Sequence, residues 1–111
     1  MYILCIFLNN SIVTLSPDTS ISSSINLNKN STPEDLVISE DGFYRLYSAN
    51  NGTESTIKIA LYNKNNEILF DSFYVSAPEF YEVTSQIFHL KAGTYKYRAQ
   101  GQEIRLIKYN L

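Results

Sequence analysis

The chain has 111 residues with nine Lys or Arg, eleven Asp or Glu and a single Cys, and its formal net charge is −2 at pH 7. This length predicts one domain over residues 1–111, large enough to bury about two thirds of the surface that its unfolded chain exposes. The scattered basic residues argue against nucleic-acid binding, and the lone Cys5 excludes a disulfide within the chain.

The chain begins with a run of seven apolar residues, Tyr2–Leu8, which is a candidate for an export signal, a membrane span or a strand. No Lys or Arg precedes Lys29, and a membrane-spanning helix needs about 20 apolar residues. We therefore expect no membrane span, and a degenerate signal peptide is the alternative to a strand. Aromatic and β-branched residues favour a strand, and Asn9-Asn10 fits a tight turn. The sequence therefore predicts an N-terminal hairpin over residues 1–15, in which Tyr2–Leu8 pairs with Ser11–Leu15.

Alternation within this first strand predicts that it is apolar on both faces. Such a strand must be covered on both sides, because apolar surface is unfavourable in water. A lone two-layer sandwich covers only one face, so we expect another molecule to cover the other. The residues that we assign to this partner interface are Tyr2, Leu4, Ile6 and Leu8.

The next segment, SISSSINLN, alternates between polar and apolar residues. This pattern predicts a half-buried strand with Ile21, Ile25 and Leu27 on its buried face. The polar segment Asn28–Asp35 predicts a loop, in which Thr32 could cap a single helical turn.

Three consecutive segments in the middle of the chain show the clearest strand signals. GFYRLYSA follows an Asp-Gly turn and predicts a strand with Tyr44 and Leu46 directed inward. STIKIALY alternates strictly and places Ile57, Ile59 and Leu61 on one face. The Asn-rich turn NKNNE then leads into ILFDSFYV, which predicts an antiparallel hairpin.

The C-terminal third predicts the remaining strands. In YEVTSQIFHL the inward side changes along the segment, from Tyr81 and Val83 to Phe88 and Leu90. This change requires a β-bulge near Ser85-Gln86, since each residue along a strand reverses the side-chain direction. TYKYRA and EIRLIKY form the last two strands. The sequence predicts an all-β, antiparallel, jelly-roll-like two-sheet sandwich with eight or nine strands and little or no helix.

Three segments from Asp41 onward carry a family resemblance: DGFYRLYSANNG, TIKIALYNKNNEILF and FHLKAGTYKYRAQGQEIRLIKY. Their Gly-x-Tyr-x-Leu strand, Asn-rich hairpin turn and Leu-x-Ala-Gly turn resemble the jelly-roll sandwiches of galactose-binding-like and carbohydrate-binding-module domains, of the kind also found in phage and viral structural proteins. The resemblance implies a jelly-roll core over residues 42–111. The chain departs from these families in having no Trp and no calcium-loop spacing.

No catalytic or metal-binding motif stands out. His89 is the only histidine, and Cys5 lies in an apolar run far from it in sequence, so no nucleophile and base are paired. One His and one Cys do not make a zinc site, and the acidic residues near Asp41 are expected to cap turns. We expect no enzyme activity, no metal and no cofactor.

Aromatic residues outside the expected core are the remaining functional signal. Tyrosine offers apolar area with a polar tip, which suits protein interfaces and sugar platforms alike. The alternative is that they fill the second face of the sandwich. The residues that we single out as ligand or interface aromatics are Tyr47, Tyr62, Phe73, Phe80 and Tyr109.

These observations favour a non-enzymatic structural or interaction protein. The leading hypothesis is a phage or viral virion component, such as a head decoration, head fibre or tail accessory protein, made in the host cytoplasm. It would bind copies of itself, a coat protein or a tail protein, and a trimer is expected by analogy only.

The alternative hypothesis is a carbohydrate-binding module or adhesin-type domain that is secreted or at the cell surface. In that case exposed tyrosines and the loops Asn50–Thr53 and Asn63–Asn66 would contact sugar hydroxyls. A small secreted adhesin or toxin-related domain is the third possibility.

Overall fold

A computed structural model describes residues 4–8, 11–15 and 20–110 of the chain, with side chains over residues 20–110. Nine strands lie within residues 20–110, and the N-terminal hairpin adds two. The described residues contain no helix, and so none that could cross a membrane. The predicted all-β sandwich is confirmed. The strands are β1 Leu4–Leu8, β2 Ser11–Leu15, β3 Ile21–Asn26, β4 Glu34–Ile38, β5 Gly42–Ala49, β6 Ser55–Tyr62, β7 Ile68–Ala77, β8 Glu82–Thr84, β9 Ile87–Leu90, β10 Gly93–Gln100 and β11 Glu103–Tyr109.

The strands form two sheets. The larger has seven strands in the order β2-β1-β9-β5-β11-β3, with β8 pairing on β5 beside β9. The smaller has four strands in the order β4-β10-β6-β7. Every pair is antiparallel except β1 with β9. The order leaves β3 and β2 at the edges of the larger sheet and β4 and β7 at the edges of the smaller one.

The core lies between the two sheets and is built from the alternating positions of β5, β6, β10 and β11. The predicted inward residues of β5, Tyr44 and Leu46, are buried. Ile57, Ile59 and Leu61 of β6 face them from the smaller sheet and are also buried, as predicted. Strict alternation therefore identified the two central strands correctly, because each has one face on the core.

The N-terminal hairpin is confirmed in its backbone. β1 and β2 pair from Leu4 opposite Leu15 to Leu8 opposite Ser11, and β1 also pairs with β9. Tyr2 and the turn residues Asn9-Asn10 lie outside the described residues. The side chains of β1 lie outside them too, so what covers its two faces stays a prediction.

The predicted irregularity at Ser85-Gln86 is confirmed as a break between β8 and β9. Both short strands pair with β5, β8 at Tyr47–Ala49 and β9 at Gly42–Tyr44. The Ser85 amide donates to the Leu46 carbonyl at 2.9 Å, and the Leu46 amide donates to Ser85 Oγ at 2.9 Å. The side chain thus replaces a backbone partner where the strand is interrupted.

Three sequence-based expectations are corrected. β3 is an edge strand and is exposed along its whole length. A bulge opposite Lys108 and Tyr109 puts Ile21 and Ile25 on opposite faces, so the two do not share the predicted buried face. Only the third expected inward residue, Leu27, packs against the core. Tyr81 precedes β8 and is exposed rather than inward.

The third correction concerns the polar loop between β3 and β4. It forms bends rather than the helical turn considered for Thr32. It is anchored instead by Asn30, which is buried and bonds the backbone of β10 through both ends of its amide, to the Tyr97 carbonyl at 3.1 Å and the Ala99 amide at 2.8 Å.

Candidate interaction surface

β7 is the edge strand that the β6–β7 hairpin places at the end of the smaller sheet. The hairpin turn is fixed by Asn63, whose side-chain oxygen accepts from the amides of Asn65 at 2.9 Å and Glu67 at 3.0 Å. Within the described part of the chain, β7 pairs with β6 and with no other strand. Its far edge therefore presents unpaired backbone hydrogen-bonding groups.

Large apolar side chains are exposed along this edge and in the loop that follows it. Phe73 is 54% exposed, Val75 67% and Phe80 69%, which are high values for residues of this type. We refer to the seven exposed apolar residues of β7 and its following loop as the β7 surface. It consists of Ile68, Leu69, Phe73, Tyr74, Val75, Phe80 and Tyr81.

The area of the β7 surface is large for a protein of this size. With full areas of about 150–250 Å² for each large side chain, the exposed fractions leave on the order of 700 Å² open to solvent. The largest apolar patch of a typical monomer is about 300–600 Å², whereas a stable interface buries about 800 Å² per partner. The exposed area of the β7 surface is thus larger than that of an ordinary patch and slightly smaller than that of a standard interface.

Two irregularities divide β7 into a regular centre and two ends. The pairing with β6 shifts at Leu69 and again at Val75-Ser76, where Ser76 has a φ of 50°. Between them Phe70–Tyr74 pairs residue for residue with β6. Bulges of this kind twist the ends of an edge strand away from a neighbour, so Phe70–Tyr74 is the segment with regular edge geometry.

The outward face of this regular segment carries one ion pair. Lys58 on β6 is directly opposite Phe73, and its Nζ lies 2.9 Å from Asp71 Oδ1 and 5.2 Å from the centre of the Phe73 ring. The methylene stem of the lysine covers the sheet while its charge sits between a carboxylate and a ring face. The Phe73 side chain therefore contacts Lys58 on the side of β6, and more than half of it is exposed to solvent.

The loop after β7 holds Phe80 out in solvent. Phe80 has a φ of 63°, which is rare for a bulky residue, and the loop is closed by the Tyr81 amide donating to the Pro78 carbonyl at 3.2 Å. The Tyr81 carbonyl accepts from the backbone amide of Asn50 at 2.9 Å, and the Tyr81 ring packs edge-on against the Tyr74 ring at a centroid distance of 5.4 Å. The loop is therefore fixed to the core at its base while its apolar tip is exposed.

The five aromatics singled out from the sequence fall in three places. Phe73 and Phe80 belong to the β7 surface, and Tyr62 is half-buried at the end of β6. Tyr47 and Tyr109 are half-buried on the outer face of the larger sheet. Tyr62 lies directly opposite Ile68 of the β7 surface, whereas Tyr47 and Tyr109 lie on the other sheet.

The outer face of the larger sheet is held by polar and aromatic contacts. Arg45 donates from Nε to the Ser85 carbonyl at 2.8 Å and lies 5.9 Å from the centre of the Tyr109 ring. Tyr47 donates to Glu82 Oε1 at 3.1 Å, and burial, together with this hydrogen bond, raises the pKa of the Tyr47 phenol. Tyr47 and Tyr109 are thus half-buried and contact other side chains of the sheet, whereas Phe73 and Phe80 of the β7 surface are more than half exposed.

Sequence reasoning missed five members of the β7 surface. They are Ile68, Leu69, Tyr74, Val75 and Tyr81. The available signal was the absence of alternation in ILFDSFYV, which is apolar at both odd and even positions. In the N-terminal strand, apolar residues at both odd and even positions predicted a surface covered by a partner, and the same pattern in ILFDSFYV supports the same prediction for β7.

Polar clefts open at the ends of the sandwich. One of about 620 Å³ is lined by amide and hydroxyl side chains that include Ser31, Thr56 and Gln100. A second of about 280 Å³ lies between the Asn63–Asn66 turn and Tyr95. Their lining suits hydrogen bonding to a small polar ligand. Within residues 20–110 no three His, Cys, Asp or Glu side chains lie together as metal ligands would.

The loop Asn50–Thr53 differs from the expectation for a sugar-binding loop. Asn50 is 1% exposed, and its amide donates to carbonyls of Ser55, Ala77 and Pro78. Asn50 therefore has no free group for a ligand. Asn51 and Thr53 of the same loop are exposed, so the expectation that this loop contacts sugar hydroxyls stays a prediction for these two residues.

Comparison with known proteins finds no family model, no curated protein and no solved structure that matches the chain.

Proposed function

We propose that this chain is a non-enzymatic structural protein that acts through contacts between protein subunits. The observation that carries the proposal is the β7 surface, an edge strand and loop with on the order of 700 Å² of exposed apolar area. Removing such an area from water stabilises association by the hydrophobic effect, and the free strand edge adds directional hydrogen bonds.

The setting that we propose is a virion, in which the chain serves as a head decoration, head fibre or tail accessory protein. Support comes from the sequence resemblance to the jelly-roll sandwiches of galactose-binding-like and carbohydrate-binding-module domains, of the kind also found in phage and viral structural proteins. The sequence of β1, which is apolar at every position from Leu4 to Leu8, offers a second surface for a copy of the chain, a coat protein or a tail protein.

The first test is the mass of the purified chain by light scattering over a hundredfold range of concentration. We expect self-association, and we expect Phe73→Glu to weaken it by at least tenfold in dissociation constant, because a charge would have to be buried. Val37→Glu is the matched control, since Val37 is exposed on β4 at the opposite edge of the same sheet.

Circular dichroism of both variants establishes that they fold. A monomer mass at every concentration, or equal effects of the two substitutions, would contradict the proposal.

A second candidate function, binding of a carbohydrate, is favoured by the polar clefts. The amide and hydroxyl lining of the cleft at Ser31, Thr56 and Gln100 matches the hydrogen-bonding capacity of sugar hydroxyls. A glycan array followed by calorimetric titration tests it. We expect Gln100→Ala to abolish any binding at this cleft and Asn65→Ala, in the other cleft, to leave it unchanged.

A further inference from the structure

We propose that β7 pairs antiparallel with β7 of a second copy of this chain about a two-fold axis at Ser72. The two four-stranded sheets would then join into one sheet of eight strands. This inference rests on the proposed function and identifies the partner of the β7 surface.

The geometry of self-pairing restricts where the axis can lie. Residues opposite each other in an antiparallel pair project to the same face of the sheet. A two-fold axis between the two strands must therefore place one residue opposite its own copy, because neighbouring residues of a strand project to opposite faces. The regular segment Phe70–Tyr74 is bounded by irregularities at Leu69 and at Val75-Ser76. Its midpoint is Ser72. An axis there pairs the whole regular segment and puts the irregular ends of the two copies opposite each other.

On the inward face this register continues the existing rows of the core. β6 already places Leu61 opposite Phe70, Ile59 opposite Ser72 and Ile57 opposite Tyr74. With the axis at Ser72, Phe70 of one copy lies opposite Tyr74 of the second copy. The resulting cross-strand row contains only apolar and aromatic side chains, and its aromatic pair is stabilising.

On the outward face the same register keeps like charges apart. Asp71 of one copy lies opposite Phe73 of the second copy, whose ring is already 5.2 Å from Lys58 Nζ of that copy. The ring thus lies between a cation and a carboxylate. An axis at Asp71 would instead place two carboxylates opposite each other, which is destabilising.

The area agrees with a symmetric dimer. A two-fold interface uses the same patch on both partners, and the β7 surface exposes on the order of 700 Å² against the ~800 Å² per partner of a standard interface. Both faces of β7 contribute, since the outward face carries Phe73 and the inward face carries Tyr74.

The test is disulfide trapping at the axis in the full chain. With Cys5→Ser as background, Ser72→Cys places two thiols opposite each other at a Cα separation of about 4.5–5.5 Å, within the range of a disulfide. We expect a covalent dimer on mild oxidation that reductant reverses. The control is Ser23→Cys, on the exposed edge strand β3 of the larger sheet, which should remain monomeric in a non-reducing gel.

The outcomes separate this inference from the proposed function. A wild-type mass of two copies together with trapping at Ser72 supports the two-fold pairing. Self-association that Phe73→Glu weakens, but with no trapping at Ser72 or with a mass of three copies, overturns the pairing and leaves the proposed function standing. A monomer at every concentration overturns both. Because Ser72→Cys changes only a hydroxyl, it also provides a readout if Phe73→Glu fails to fold.

Discussion

At the scale of single residues, a buried asparagine connects the β7 surface to the core. The side-chain nitrogen of Asn50, Nδ2, lies 3.0 Å from the Ser55 and Ala77 carbonyls and 3.2 Å from the Pro78 carbonyl. The side-chain oxygen of Asn50, Oδ1, accepts from Ser55 Oγ at 2.5 Å. These bonds fix the start of β6 to the end of β7. Buried carbonyls that lose such a donor cannot recover water, so the side chain is costly to remove.

We expect Asn50→Ala to lower the free energy of unfolding by about 2–3 kcal/mol, because it leaves buried carbonyls without a donor. Chemical denaturation measures the change. Asn51→Ala is the neighbouring control, since Asn51 is exposed, and it should change stability by less than about 0.5 kcal/mol. Equal losses at the two positions would show that the loop rather than the buried amide matters.

A second residue-scale prediction concerns pH. Burial, with a further contribution from Glu34, raises the pKa of Tyr97 above its ordinary value of 10.0. The unfolded chain then loses the phenolic proton first, so the stabilisation is complete below pH 10.0 and is lost as pH rises through the folded pKa. We expect stability to fall above pH 10 and Tyr97→Phe to make that fall shallower.

Denaturant midpoints at pH 8 and above pH 10 measure this effect. Tyr97→Phe also removes the hydrogen bond from the Tyr97 hydroxyl to the Asn28 carbonyl at 2.9 Å, so the variant is less stable than the wild type at pH 8. The quantity to compare is therefore the change in denaturant midpoint between the two pH values, in the wild type and in the variant. Parallel profiles for the wild type and the variant would refute the argument.

The contrast between Asn50 and Asn51 shows what a sequence cannot predict at this scale. The two are adjacent and chemically identical, and the sequence placed both in an exposed loop. Their roles differ because Asn50 meets carbonyls of Ala77 and Pro78, which lie on another element. Only the tertiary structure brings those groups together.

At the scale of elements, the break between β8 and β9 lets one segment pair with β5 at two places. Ser85 is 2% exposed, and its hydroxyl accepts from the Leu46 amide at 2.9 Å and donates to the Gln86 carbonyl at 2.7 Å. The sequence predicted this irregularity because the apolar positions change from one face to the other. A period-two pattern cannot change phase without an extra residue.

We expect Ser85→Ala to cost about 1–3 kcal/mol of stability, because the buried Leu46 amide loses its acceptor. Thr84→Ala is the control, since Thr84 is exposed on β8 and should cost less than about 0.5 kcal/mol. Hydrogen exchange at the Leu46 amide provides a local readout, and we expect it to accelerate in Ser85→Ala alone. Unchanged protection would indicate that the hydroxyl bond is not the source of the stability.

The accuracy of the sequence interpretation depends on where each strand lies. β5 and β6 lie inside their sheets with one face on the core, so alternation identified their buried residues. β3 and β7 are edge strands with bulges, and there alternation failed: Ile21 and Ile25 were assigned to one buried face, and Tyr74 and Val75 were missed. Unlike the segment around Ser85, neither β3 nor β7 shows a change of phase in its apolar residues, so the sequence did not reveal these bulges.

At the scale of the whole molecule, the apolar residues are distributed unevenly. The core between the sheets is continuous, whereas the β7 surface collects large apolar side chains on one edge of the smaller sheet. The formal net charge is only −2, so electrostatic repulsion between copies is weak. Both properties favour association through apolar contact over association through ion pairs.

The last prediction follows from this distribution. If the β7 surface drives assembly, screening by salt should leave the dissociation constant nearly unchanged, because charged groups contribute little, and sulfate should lower it by favouring apolar burial. Dilution calorimetry at several temperatures should show a negative heat-capacity change on association. The Phe73→Glu variant should lose this signature and Val37→Glu should retain it. Dissociation of the wild type by moderate sodium chloride would instead assign the assembly to ion pairs and remove the β7 surface as its cause.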